Sequence, residues 1–170
     1  METAGCDDST LAASGAQYQL VSSLTWEYRK FMPTSSLLDP WSDAVTISNI
    51  LAKATSTLLV VIGAEAWCEK CRLLKPAFDE LARQAPPHKV MLWLDLEDHA
   101  EFLGDYIPDS LPELCIYQRG SLLKKVQLDG NEQSLHEALA ATHDAKSLVG
   151  DDPEILARLM RHDWAQSSGG

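Results

Sequence analysis

Apolar positions change period several times along the chain, and each change marks an element. Over residues 17–32, Leu20, Val21, Leu24, Tyr28 and Phe31 recur at helical spacing, which predicts an amphipathic helix. The stretch PTSSLLDPWSD interrupts this pattern with prolines and turn formers and reads as a linker. Strand and helix signals then alternate. Residues 44–47 form a short strand candidate and 48–54 a short helix. Residues 58–64 are an unbroken apolar run, as expected of a strand covered on both faces. Leu73, Leu74, Ala77, Phe78 and Leu81 repeat at helical intervals and stop before Pro86 and Pro87. VMLWLDL at 90–96 predicts a second buried strand, followed by a short acidic helix over 99–106. ELCIYQ and SLLKKVQL, separated by Arg119 and Gly120, predict a hairpin. Asn131 opens a helix to about residue 146. Asp152 as N-cap and Pro153 as first helical residue predict another to about residue 164.

Alternating elements closed by a hairpin predict an α/β domain, a central mixed β-sheet flanked by helices, over 42–146. Residues 1–41 are expected to be a mobile tail (1–16) plus the amphipathic helix, and 147–170 a C-terminal helical extension. A chain of 170 residues suits this plan, being long enough to bury a core without a staple.

Charge narrows the partners. With 25 acidic against 14 basic residues the net charge is −11, which repels phosphate backbones and anionic lipid, so neither nucleic acid nor membrane is expected. The N-terminus carries no secretory pattern and no apolar run reaches spanning length, which predicts a cytoplasmic protein. Four cysteines, at 6, 68, 71 and 115, are too few and too scattered for a disulfide-stapled scaffold. Cys115 reads as a packed strand residue and Cys6 as an exposed tail thiol. The five histidines fall singly on predicted surface or loops, and none is assigned to catalysis.

Cys68 and Cys71 stand where the buried run gives way to helical periodicity. A helix's first turn leaves N–H groups unpaired and carries partial positive charge, which lowers the pKa of a thiol placed there. Cys71, one turn on, is placed to resolve a mixed disulfide formed at Cys68. Two inert buried thiols, or half of a zinc site, are the competing readings. The second is disfavoured because no further CxxC or HxxxH follows at ligand spacing, so no metal is expected.

AEAWCEKCRLLKPAFDELA resembles the active-site segment of the thioredoxin family, with Trp67 directly before the first cysteine and Pro76 five positions after the second. SLPEL, followed by a strand and a Gly-containing turn, resembles that family's cis-proline segment. The resemblance implies the thioredoxin fold with extra N- and C-terminal helices. It places Pro112 beside the cysteines, where backbone groups pair with an extended peptide. It further implies that Trp67, Leu111 and Pro112 shape the substrate surface, that Glu69, Lys70 and Pro76 tune the motif, and that no cofactor is required. The implied partners are protein disulfides and a recycling reductase or glutathione.

The chain also departs from the family. Ile62 takes the place of the buried acid that accepts the resolving thiol's proton, leaving water or Glu65 for that step. Trp93 stands in place of the lysine that accompanies the acid. Glu69 and Lys70 replace Gly-Pro, and Leu128 or Asp129 stands where a flat glycine is expected, with Gly130 displaced. The leading expectation is a thiol–disulfide oxidoreductase. The alternative is a thioredoxin-fold chaperone or interaction module that contacts a partner protein through its terminal helices. A sulfur-carrier or peroxide-handling role fits less well.

Overall fold

The computed structural model describes residues 37–140 and 151–161. The tail over 1–16, the helix over 17–32 and the expected helix ends near 146 and 164 lie outside the described residues.

Helix α1 (Pro40–Leu51) starts inside the stretch that reads as a linker. The Asp39 carboxylate accepts hydrogen bonds from the N–H groups of Trp41 (2.7 Å) and Ser42 (3.4 Å), and Pro40 fills the first helical position, where no donor is needed. The helix bends at Asp43, whose φ is −116° and ψ 15°. The strand expected over 44–47 is therefore wrong. Ala44, Ile47 and Ser48 recur as one buried helical stripe, and the cap outweighs the β-branched run Val45-Thr46-Ile47.

Strands β1 (Thr57–Gly63), β2 (Lys89–Asp95), β3 (Glu113–Gln118) and β4 (Ser121–Gln127) form one mixed sheet in the order β2-β1-β3-β4. β1 runs parallel to β2 and antiparallel to β3, and β3 runs antiparallel to β4. The β3–β4 turn is made by Arg119 (φ 54°) and Gly120 (φ 80°), a left-handed pair that matches the twist of its strands.

Helix α2 (Glu69–Arg83) and helix α4 (Glu132–Ala140) cover one face. There Leu74, Phe78, Leu135 and Ala138 pack on Leu59, Val61, Met91, Leu114 and Ile116. The opposite face carries Leu58, Val60, Ile62, Leu92, Leu94 and Tyr117, packed by α1, the single turn α3 (Ala100–Leu103) and α5 (Ile155–Arg161). Two covered faces explain why β1 reads as continuous hydrophobic sequence.

Two expected helices are corrected in extent. α3 stops at Leu103 because Gly104 takes φ 61°, short of the range 99–106. α5 begins at Ile155 instead of Pro153, since Asp152 closes a local turn on the N–H of Glu154 (2.8 Å) and Glu154 itself has φ 57°. Ile155 and Leu159 of α5 are almost wholly buried, and each contributes roughly 1.5–3 kcal/mol of apolar burial. Arg158 donates to the carbonyl of Phe102 (2.6 Å), so the C-terminal helix is part of the domain's core layer.

Candidate active site

Cys68 is the N-cap of α2, with extended backbone (φ −96°, ψ 105°), and its Sγ accepts the N–H of Cys71 at 3.2 Å. The two cysteines are joined as a disulfide with a Cα–Cα distance of 5.2 Å. Their exposures differ in the way that exchange chemistry needs: Cys68 keeps 9% of its surface open and Cys71 none. One sulfur can be reached from outside, and the other only through it.

Ala64, Cys68 and Cys71 form a small cluster walled by Trp93, Leu96 and Leu111. Leu111 precedes Pro112 through a cis peptide bond, and the carbonyl of Pro112 accepts the N–H of Leu128 at 2.8 Å. The loop after β4 is thereby tied to the proline segment. Gly130, with φ 78°, is the residue that meets α2, since a Cβ there would lie 2.5 Å from Lys70 Cβ. Leu128, two residues earlier, is buried.

The remaining motif residues lie at the surface. Glu69 and Lys70 are exposed in the first turn of α2, and Pro76 is exposed inside the helix. Trp67 leaves 62% of its surface open beside Cys68. Glu65 is exposed as well. Its N–H donates to Asp95 Oδ2 (2.7 Å) and its carbonyl accepts from the Arg72 guanidinium (2.8 Å).

Asp95 and His99 are the part of the site that the sequence reading missed. His99 is buried, not on the surface as expected: its Nδ1 accepts the N–H of Asp95 (3.0 Å) and its Nε2 faces Asp39 Oδ2 at 3.1 Å. Asp95 in turn takes the N–H groups of Glu65 and Glu97. The cap of α1, the end of β2 and the loop leading into Cys68 are linked through one imidazole and one carboxylate. No motif marks this link, because it joins residues separated by 30 and 60 positions.

Ile62 is fully buried and paired across the sheet with Glu113, the residue after Pro112. Glu113 is buried too. Tyr106 donates its phenol proton to Glu113, and Cys115 Sγ lies 3.9 Å from the same carboxylate oxygen. Burial pushes the Glu113 carboxyl above the usual carboxylate range, while the Tyr106 hydrogen bond and the Lys125 ammonium pull it down and Asp109 pushes it up. Burial likewise raises the Cys115 thiol, with Glu113 and Asp152 adding to the effect and Lys125 opposing it. An acid directly after Pro112, in an otherwise apolar strand, was the available signal for this cluster.

Comparison with known proteins places these features in a family. The family model described as Thioredoxin matches residues 43–141. A thioredoxin H-type from Fagopyrum esculentum is 26% identical over 86 residues, 51% of this chain and 73% of that protein. A Staphylococcus epidermidis thioredoxin is 27% identical over 95 residues, 56% of this chain and 91% of that protein. Among solved structures, the oxidized form of mitochondrial thioredoxin 3 from Saccharomyces cerevisiae is 18% identical, covers 60% of this chain and 98% of its own, and superposes with a TM-score of 0.43.

Proposed function

The chain belongs to the thioredoxin family, and from that premise we propose that it is a thiol–disulfide oxidoreductase acting on protein disulfides. The observation that carries this reading is the asymmetry of the pair: Cys68 caps a helix and reaches the surface, while Cys71 is enclosed one turn away. In the reduced protein the unpaired N–H groups of the first turn stabilise the Cys68 thiolate. That thiolate attacks one sulfur of a substrate disulfide, forming a mixed disulfide and releasing the other sulfur as a thiolate. Cys71 then loses its proton and attacks Cys68 Sγ, which frees the second substrate thiol and leaves the Cys68–Cys71 disulfide. Two electrons pass to the substrate, and a dithiol reductase or glutathione returns them.

Trp67, Leu111 and Pro112 form the substrate surface in this reading, and Glu69, Lys70 and Pro76 adjust the pair. Water or Glu65 receives the Cys71 proton, since apolar Ile62 cannot. Among the described residues no helix is long and apolar enough to cross a membrane. The proposed activity is assigned to the cytoplasm. The test is insulin reduction. Cys68→Ser is expected to abolish turnover, and full turnover by that variant would overturn the assignment.

Ile62 also favours a second reading, a binding module with little turnover. Partners that stay bound after replacement of both cysteines, with the parent protein inactive on insulin, support it instead.

A further inference from the structure

Trp93 lies on β2 and carries a buried indole Nε1 that has no hydrogen-bond partner among the described residues. An orphaned buried donor costs roughly 1–3 kcal/mol and calls for an explanation in the chemistry of its surroundings. Those surroundings are specific. The indole ring lies against Gly63, where a Cβ would come within 2.6 Å of Trp93 Cζ2, so glycine is what allows the ring this close to β1. Along α2 it meets Phe78, with ring centroids 5.6 Å apart, and Lys75, whose Nζ is 5.5 Å from the ring.

Residues 71, 75 and 78 stand at i, i+4 and i+7, one stripe of a helix. Trp93 therefore runs along the stripe whose first member is Cys71, and it walls the cluster containing both sulfurs. Cys68 Sγ already has a donor in the N–H of Cys71. Cys71 is the enclosed sulfur, without solvent to stabilise a charge.

We propose that Trp93 is a positioning residue for the redox step: its indole N–H, unpaired while the disulfide is closed, donates to the Cys71 sulfur once the disulfide opens. This rests on the oxidoreductase reading. Opening the Cys68–Cys71 disulfide takes two electrons from an external dithiol, whose own sulfurs become a disulfide and whose two protons pass to the opened pair or, where a sulfur stays anionic, to solvent. The released Cys71 sulfur carries a full or partial negative charge in place of an S–S bond, and it becomes the strongest acceptor beside the indole. A donor satisfied only in the reduced state favours that state and lowers the Cys71 pKa. Where a buried acid would take the resolving thiol's proton, this chain instead stabilises the anion left behind.

The experiment follows the indole N–H resonances of the 15N-labelled full chain, oxidised and then reduced with dithiothreitol, with Trp93→Phe assigning the signal. On reduction the Trp93 N–H proton is expected to move downfield. In reduced Cys68→Ser it should move further as pH rises through the Cys71 ionisation, and in Cys71→Ala it should stay still. Against glutathione, Trp93→Phe should shift the couple about tenfold toward the disulfide, the size of one hydrogen bond to a charged group. An indole resonance that is the same in both redox states, or one that follows Cys68, overturns the proposal, and the wild-type spectrum decides this even if the variant folds poorly. Failure of insulin reduction with the indole response intact would count against the oxidoreductase reading alone.

Discussion

Cys68 and Cys115 are cysteines of one small domain placed in opposite settings. Cys68 follows a parallel strand, caps a helix and keeps an open edge beside Trp67. Cys115 sits mid-strand in β3, fully buried, next to the Glu113 carboxyl and within the field of Asp152. Helix N–H groups favour the anion at the first position, whereas desolvation and acidic neighbours oppose it at the second. Reactivity of a sulfur is a property of the backbone and dielectric around it, and two cysteines of one domain sit in opposite settings.

The comparison breaks most visibly at the resolving thiol. Cys71→Ser is expected to lower insulin turnover roughly a hundredfold or more and to leave substrates covalently attached through Cys68, seen as adducts on non-reducing gels. Rapid turnover without adducts would remove Cys71 from the role proposed for it.

Cys115 supplies the opposite arm. In the reduced native protein, iodoacetamide should label Cys68 roughly a hundredfold or more faster than Cys115, with Cys115 reacting only after unfolding. Cys115→Ala should leave turnover within about twofold while costing about 1–2 kcal/mol of stability through the cavity it leaves. Equal labelling of both sites in the native state would erase the contrast.

The smallest expected effect sharpens the electrostatic half. Glu113 has its pKa raised in the folded state, mainly by burial, so the native protein holds that proton to higher pH than the unfolded chain does. Stability from this group is present below the ordinary carboxylate value of 4.5 and is lost as pH rises through the folded value. Glu113→Gln removes the titration but keeps an acceptor for Tyr106. The variant's melting temperature is expected to gain on the parent's above that pH, by about 2–4 °C for each kcal/mol. Parallel melting curves across pH would show that Glu113 ionises alike in both states.

Local signals carried much of the architecture. The apolar runs of β1 and β2, the stripe Leu74-Phe78 of α2 and the Arg119-Gly120 turn each follow from neighbours within a few positions, and each stands in the structure. Where a cap a few residues away competed with side-chain shape, as at Asp39 against Val45-Thr46-Ile47, the reading of 44–47 as a strand failed. At the C-terminal helix, the turn at Asp152 moved the start past Pro153.

The linear order of residues by itself determined that two thiols would sit at a strand-to-helix junction, because periodicity and the CxxC spacing are read along one segment. Tertiary structure alone decided which acid and which imidazole brace that junction, and that the indole of Trp93 would lie along the Cys71 stripe with no hydrogen-bond partner for its N–H among the described residues. Those pairings join strands and loops far apart in the chain. Their energies arise from the removal of water at the place where the segments meet, and no local pattern encodes where that is.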